Sequence, residues 1–163
     1  MNQVKPDFIS LVGPTGTGKS AMALYLAEWL LDFGIKAEIV NADAMQFYKG
    51  MDIGTAKLTL DERRGIQHHL FDWLEVTEES TAANYQVVAR AKIQELIDKG
   101  ILPIVVGGSM LYVASLINTF EFPGRDEELR AELEEQLEQL GANEMHAKLA
   151  KLDQVAASRI DPN

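Results

Sequence analysis

The sequence predicts an α/β fold in which helices cover both faces of a parallel sheet. Short apolar runs alternate with stretches of helical spacing, and the repeated strand–turn–helix order favours parallel strands joined by crossover helices. With 163 residues, of which 47% are hydrophobic, the chain can bury a substantial core. The sequence pattern changes after Pro123-Gly124 from alternating strands and helices to helical spacing alone. We therefore expect a sheet domain over residues 1–120 and a helical segment over residues 121–163.

Four short runs are the predicted strands of this sheet. Residues 8–12 form the first and end at a Gly-Pro turn, and residues 37–40 form the second. A short third strand is expected within residues 67–73. Residues 101–106 are strongly apolar, and their position before Gly107-Gly108 predicts the central strand, which ends at a turn.

Helices are predicted in the stretches between the strands. The first runs over residues 19–33 and is followed by glycine, which commonly terminates helices. The second begins after Ser80 or Thr81, either of which can cap it, and ends at Gly100. A third helix is expected over residues 109–118, after the central strand.

The C-terminal segment has its own helical pattern. Leucines recur there every three or four residues, which predicts an amphipathic helix. These leucines are Leu129, Leu133, Leu137 and Leu140. We expect Asn143 and Asp153 to cap two further short helices. Residues 121–163 carry eleven acidic and five basic side chains, so the segment is also distinct in charge.

Composition excludes several classes of protein. The formal net charge of −10 argues against general affinity for nucleic acids, because phosphate contacts need lysine and arginine. The absence of cysteine from the sequence excludes disulfides and thiolate metal sites. No run of roughly 18 or more apolar residues is present, so no membrane span is expected. The N-terminus lacks a secretory signal pattern, and we expect a cytoplasmic monomer.

The turn after the first strand carries the strongest motif. Residues 13–20 fit the pattern G-x-x-x-x-G-K-[ST] in full, between a predicted strand and a predicted helix. The glycines let the backbone curl so that successive N–H groups face one anion, and the helix adds the positive end of its dipole. Lys19 offers a mobile ammonium to a terminal phosphate, and Ser20 offers a hydroxyl to Mg²⁺. The predicted binding residues are Gly13, Pro14, Thr15, Gly16, Thr17, Gly18, Lys19 and Ser20. This motif predicts binding of a di- or triphosphate, but it does not identify the reaction.

Polar residues follow two other strands at the same predicted edge of the sheet. Asp43 comes after the second strand, where a carboxylate can hold Mg²⁺ or accept a proton, and Gln46 can pair with the edge of a base. The structural alternative is an aspartate that caps a loop beside a solvated glutamine. Ser109 follows the central strand and could bind a substrate, orient Asp43, or cap the next helix.

Together these motifs resemble the tRNA dimethylallyltransferase family, also called tRNA isopentenyltransferases. The resemblance rests on GPTGTGKS at 13–20, NADAMQFYKGMDIGTAK at 41–57, HHLFD at 68–72 and PIVVGGSMLY at 103–112, with RIDPN at 159–163 as a weaker match. It implies a P-loop NTPase-like sheet and a helical insertion that grips the anticodon stem-loop of tRNA, beginning in residues 121–163. Family members are about twice this long and continue with an arginine-rich stretch, so we expect the chain to be a fragment that is inactive alone.

The resemblance also implies a reaction. The turn would hold the diphosphate of dimethylallyl diphosphate with Mg²⁺ on Ser20, and N6 of the adenosine 3′-adjacent to the anticodon would attack the allyl group. Asp43 would accept the proton while Lys19 stabilises the leaving group, and Ser109 and Gln46 would hold the flipped base.

The same comparison assigns three further residues to the tRNA substrate. They are Ala44, Met45 and Arg130. Ala44 stands where the family commonly has serine, so its side-chain contact is in doubt, whereas Asp43 is retained. Arg130 aligns with an arginine that contacts tRNA, but a structural pair with Glu134 at i,i+4 spacing explains it equally well.

Other functions share these motifs. An adenylate isopentenyltransferase would use the same turn and the same aspartate with free AMP, ADP or ATP as acceptor. A small-molecule P-loop kinase would turn over ATP beneath an arginine-bearing lid, for which Arg125 and Arg130 are candidates. A third possibility is a folded diphosphate-binding module without catalysis. The segment MDIGTAK at 51–57 and the helical insertion favour the tRNA-modifying type over the adenylate isopentenyltransferase.

Overall fold

The computed structural model describes residues 7–118, 120–122, 124 and 126–162. The chain divides between Phe120 and Glu121 into two compact units. Pro123 of the expected boundary, Arg125 of the alternative lid and Asn163 of the weakest motif lie outside the described residues.

The first unit alternates strands and helices in the predicted order. Its elements are β1 (Ile9–Val12), α1 (Lys19–Asp32), β2 (Ala37–Asn41), a 3₁₀ turn (Ala44–Phe47), β3 (His68–His69), α2 (Ala82–Asp98), β4 (Leu102–Gly107) and α3 (Met110–Ile117). The four strands form one parallel sheet in the order β1-β4-β2-β3. Ile104 of β4 pairs with Ile9 on one side and with Ile39 on the other. The predicted α/β class and the central position of the fourth strand are therefore confirmed.

The core lies on both faces of the sheet, because successive residues of a strand point to opposite sides. On one face α1 buries Ala23, Leu24, Ala27 and Leu30 against Ile39, Ile104 and Val106. On the other face Val40 and Val105 pack with Tyr85, Ala89, Val113 and Leu116 of α2 and α3, and with Phe47 of the 3₁₀ turn. Burial of these apolar faces fixes the two helical layers and so fixes the loops at the strand ends.

The cap of α2 resolves an alternative that the sequence leaves open. Thr81 Oγ1 accepts a hydrogen bond from the backbone N–H of Asn84 at 3.1 Å, so Thr81 is the N-cap. Ser80 has a different role, since its hydroxyl lies 2.9 Å from the hydroxyl of Tyr112. The helix thus begins at Ala82, and Ser80 links its start to α3.

The third strand is short and lies within the expected range of 67–73. It contains two residues and pairs with Ile39 and Val40 of β2. The chain leaves the sheet there because Leu70 and Asp72 adopt positive φ angles of 61° and 53°, which a strand cannot contain.

The second unit consists of three helices. They are α4 (Glu127–Leu140), α5 (Ala142–Leu152) and α6 (Gln154–Ala157). The side chain of Asp153 caps α6 by accepting from the N–H of Ala156 at 2.9 Å, as predicted. The prediction that Asn143 is a cap is wrong, because α5 begins after Gly141, whose φ of 79° sets the turn, and Asn143 lies inside the first helical turn. The four leucines of α4 remain about half exposed.

Among the described residues, no helix combines enough length with enough apolar character to cross a membrane.

Candidate active site

The turn at residues 13–20, called here the phosphate turn, joins β1 to α1. Gly16 and Gly18 adopt φ angles of 80° and 82°, a region that suits glycine and that curls the backbone. The side chains of Lys19 and Thr17 both bend back to the carbonyl oxygen of Pro14, at 2.6 Å and 2.9 Å. These bonds are exposed, so a bound anion can compete for the ammonium group without any rearrangement of the core.

The phosphate turn ends at the N-terminus of α1. Gly18 is the N-cap and makes no side-chain bond, and the first turn of the helix carries no acidic residue. Its backbone N–H groups and the positive end of the helix dipole therefore favour an anion at this place. Ser20, in the same helical turn, lines a small cavity with Asn41 and Gln46, which brings this hydroxyl next to the segment after β2.

The segment of residues 41–47, called here the Asp43 segment, is held by a buried asparagine. Asn41 Oδ1 accepts from the N–H of Asp43 at 3.0 Å. Asn41 Nδ2 donates to the carbonyl oxygens of Asp43 and Leu70, each at 3.2 Å. An asparagine bonded to the backbone two residues ahead closes a tight turn, so the carboxyl end of β2 turns sharply and carries Asp43 out of the sheet.

The carboxylate of Asp43 has a structural bond and also faces open space. Its Oδ1 accepts from the N–H of Met45 at 3.1 Å and caps the 3₁₀ turn. Asp43 and Thr15 line the same cleft, which has a volume of about 510 Å³. The opposite wall of the cleft is the loop of residues 50–55, called here the cleft loop. The structure therefore brings together the phosphate turn and the predicted carboxylate.

Ser109 acts differently from a simple helix cap. It precedes α3 but makes no side-chain bond to that helix. Instead its Oγ accepts from the backbone N–H of Ala44 at 3.1 Å. The hydroxyl thus stabilises the residue next to Asp43, and its own O–H remains available to donate to a substrate.

The two glycines at the end of β4 allow a close approach of three segments. A Cβ atom on Gly107 would lie 2.2 Å from the carbonyl oxygen of Ala42, so only glycine fits against the start of the Asp43 segment. A Cβ atom on Gly108 would lie 2.9 Å from the carbonyl oxygen of Gly13 and 3.8 Å from Lys19 Nζ. The end of β4 therefore sits between the phosphate turn and the Asp43 segment.

Gln46 is half-buried, so it is not the solvated side chain of the structural alternative. Its Nε2 donates to the carbonyl oxygen of Thr55 at 2.8 Å and ties the Asp43 segment to the cleft loop. The remaining amide oxygen is the atom that could pair with a base.

Arg130 lies in the second unit, on α4. Its Nε is 2.8 Å from Glu134 Oε1, in the i,i+4 geometry that the structural alternative predicted. Both side chains are exposed, so the ion pair is weak and a phosphate group could replace the carboxylate.

Two groups of residues that support the site were missed at the sequence level. Beneath the Asp43 segment, Phe47 stacks on Tyr85 and meets Trp73 and Tyr112 edge-on. The Tyr85 hydroxyl donates to the carbonyl oxygen of Asn41 at 2.9 Å, and burial raises the pKa of this phenol, which keeps it a donor. The Asn-x-Asp pattern at the end of β2 was the available sequence signal for the tight turn formed by Asn41 and Asp43. The second missed group surrounds Lys57.

Comparisons with known proteins identify a matching family model and several relatives. The family model described as IPP transferase matches residues 46–163. The tRNA dimethylallyltransferase of Mycolicibacterium gilvum (strain PYR-GCK) is 53% identical over 154 residues, which are 94% of this chain and 49% of the relative. That of Clavibacter sepedonicus is 54% identical over 152 residues, 93% of this chain and 50% of the relative. The chain thus spans about half the length of the curated relatives it matches.

Several solved structures are similar to this chain, and two of them show the extent of the overlap. A full-length tRNA isopentenylpyrophosphate transferase from Bacillus halodurans aligns with a TM-score of 0.68 and 40% identity, over 98% of this chain and 52% of that one. A eukaryotic dimethylallyltransferase acting on tRNA aligns with a TM-score of 0.77 and 30% identity, over 96% of this chain and 38% of that one.

Proposed function

The chain belongs to the IPP transferase family, and on that premise we propose that it serves the transfer of a dimethylallyl group from dimethylallyl diphosphate to N6 of the adenosine 3′-adjacent to the anticodon in tRNA, with release of diphosphate. The single observation that carries this proposal is the cleft that is lined both by Thr15 of the phosphate turn and by Asp43. An anion site and a proton acceptor in one cleft are the two groups that such a transfer requires.

The phosphate turn is the proposed site of the leaving diphosphate. Its backbone N–H groups, the N-terminus of α1 and the Lys19 ammonium all favour the negative charge that grows on the leaving group. Lys19 exchanges its bond to the Pro14 carbonyl oxygen for one to a phosphate oxygen.

A magnesium ion is compatible with this donor set. Among the described residues, no group of three or more His, Cys, Asp or Glu side chains could hold a metal ion, so the protein offers no dedicated cage. Mg²⁺ in phosphate sites commonly takes few protein ligands and completes its shell with phosphate oxygens and water. Ser20 would be the protein ligand, and the ion would neutralise charge on the diphosphate.

Asp43 is the proposed base. An exocyclic amine is a weak nucleophile, and it loses a proton as its bond to the allyl carbon forms. The bond from the N–H of Met45 occupies one carboxylate oxygen and leaves acceptor capacity for that proton. Ser109 keeps the neighbouring N–H of Ala44 in place and can donate its O–H to the acceptor nucleoside.

The tRNA acceptor is proposed to reach this cleft with its target base outside the stack. Gln46, Ala44 and Met45 are the residues of the Asp43 segment that we assign to the base. Met45 is half exposed and lines the cleft, so it can cover a face of a purine ring. Residues 121–163 are proposed as the start of the part that grips the anticodon stem-loop, with Arg130 as a phosphate contact.

The decisive experiment replaces Asp43 by alanine in the whole protein. We expect transfer to tRNA to be lost while binding of dimethylallyl diphosphate changes little, because Asp43 does not belong to the phosphate turn. Asp61→Ala, which removes an exposed carboxylate elsewhere in the first unit, is the matched control. Equal transfer rates for the Asp43→Ala protein and its parent would reject the assignment of the base.

The same preparation separates the competing functions. Transfer to AMP in place of tRNA would indicate an adenylate isopentenyltransferase, and phosphoryl transfer from ATP would indicate a kinase. We expect neither. The 163-residue chain alone is expected to show little transfer to tRNA, and steady turnover by the purified chain would contradict that.

A further inference from the structure

Lys57 is a buried ammonium with three oxygen partners. Its side chain is 2% exposed, and its Nζ lies 2.6 Å from Asp72 Oδ1 and 2.9 Å from Asp52 Oδ1. It also donates to the carbonyl oxygen of Tyr48 at 2.6 Å. Burial opposes the charge, but the hydrogen bonds to Asp72 and Asp52 outweigh it, so the pKa of Lys57 is raised and the ammonium stays charged.

These partners come from three separate segments. Tyr48 directly follows the 3₁₀ turn of the Asp43 segment, Asp52 belongs to the cleft loop, and Asp72 follows β3. Lys57 therefore joins the cleft loop to the end of the Asp43 segment and to the residues after β3. An uncharged side chain could not satisfy one carbonyl oxygen and two carboxylates at the same point.

The cleft loop has little apolar packing of its own. Ile53 at its tip is 98% exposed, so burial of side chains does not hold the tip in place. The backbone around its end is strained, with φ of 50° at Ala56 and 53° at Asp72. Non-glycine residues keep such angles where the surroundings impose them, and they commonly occur at functional sites. Ala56 directly precedes Lys57 in the chain, and Asp72 accepts a hydrogen bond from its ammonium.

We propose that Lys57 is a positioning residue for the acceptor side of the cleft, holding the cleft loop at a fixed place opposite Asp43. This inference rests on the proposed function, because it assigns the cleft between Asp43 and the loop to the acceptor nucleoside. The diphosphate is bound on the phosphate turn, which Lys57 does not touch. Loss of the ammonium should therefore weaken binding of the tRNA acceptor and leave binding of dimethylallyl diphosphate unchanged.

The first test measures amide hydrogen exchange in the chain itself. In Lys57→Met we expect the amides of residues 51–57 to exchange at least about tenfold faster, while the amides of α2 keep their protection. Lys49→Met is the matched control, because Lys49 lies in the same region but its ion pair with Glu75 is exposed. Asp52→Asn is a milder variant that removes one charge and keeps the side-chain size. Unchanged loop protection in both Lys57→Met and Asp52→Asn, or equal loss throughout α2, would overturn the proposal.

The second test uses steady-state kinetics of the whole protein. We expect Lys57→Met to raise KM for tRNA by about tenfold or more, and to leave KM for dimethylallyl diphosphate within about twofold. If Lys57 had only a structural role, its replacement would change KM for tRNA and KM for dimethylallyl diphosphate together, or would change neither. Either result would refute the positioning role. If the parent protein transfers no dimethylallyl group, the proposed function fails, whereas the exchange experiment still decides whether Lys57 holds the loop.

Discussion

Replacing Gly107 by alanine should separate the ends of β2 and β4. The added methyl group would lie 2.2 Å from the carbonyl oxygen of Ala42 and 2.3 Å from its carbonyl carbon, whereas ordinary contact begins at 3.4 Å. The two strand ends must therefore part by about 1 Å, and the obstacle is backbone, which cannot turn away as a side chain can. Overpacking of this kind costs about 1–3 kcal/mol, and we expect a loss near 3 kcal/mol in the free energy of unfolding.

Thermal unfolding followed by circular dichroism is the assay. A loss of about 3 kcal/mol corresponds to a fall of about 10 °C in Tm for a domain of this size. Gly54→Ala is the matched control, because a Cβ atom on Gly54 would meet nothing within 4 Å. We also expect the Gly107→Ala protein to lose its stabilisation by dimethylallyl diphosphate, since β4 also borders the phosphate turn. Melting within about 2 °C of the parent would refute the steric reasoning.

Two further predictions concern the core and the pH dependence of stability. In a denaturant titration, Phe47→Ala should lower the free energy of unfolding by about 3–5 kcal/mol, because this fully buried ring contacts three other aromatic rings. Truncation of the exposed Ile53 is the control, and it should have little effect in the same titration. Burial lowers the pKa of His68 from its ordinary 6.5, so below that pH the unfolded chain takes up a proton that the folded chain resists. The contribution of neutral His68 to the free energy of unfolding is complete above pH 6.5 and is lost as the pH falls. His68→Asn should therefore reduce the loss of stability at low pH. Parallel plots of unfolding free energy against pH for variant and parent would contradict this prediction.

The phosphate turn and the alternation of strands and helices could be predicted because their signals are local. A glycine-rich pattern between an apolar run and a helix specifies the turn, and apolar spacing specifies which faces are buried. The exact length of β3 could not be predicted, because Leu70 and Asp72, which lie within the expected range, adopt positive φ angles that neither residue type announces. Asn41 stabilises the backbone at Leu70 by donating a hydrogen bond to its carbonyl oxygen. This contact exists only once the chain is folded.

The side-chain contacts of the site depend on pairing across the sheet. The sequence leaves three roles open for Ser109, a substrate contact, the orientation of Asp43 or a helix cap, and its hydroxyl accepts from the N–H of Ala44, 65 positions earlier in the chain. The sequence patterns assign no role to Lys57, whereas in the folded chain its ammonium pairs with Asp72 and Asp52. Such long-range contacts follow from the register of the strands, and short sequence patterns do not contain that information.

The position of β4 between β1 and β2 determines the distance between the phosphate turn after β1 and the Asp43 segment after β2. Neighbouring strands lie about 4.8 Å apart, so the ends of β1 and β2, with one strand between them, stand about 10 Å apart. In the proposed transfer, the departing anion at one of these ends and the incoming amine at the other can then lie on opposite sides of a single carbon. If the two strands were adjacent, that interval would be halved, and leaving group and nucleophile would compete for the same volume.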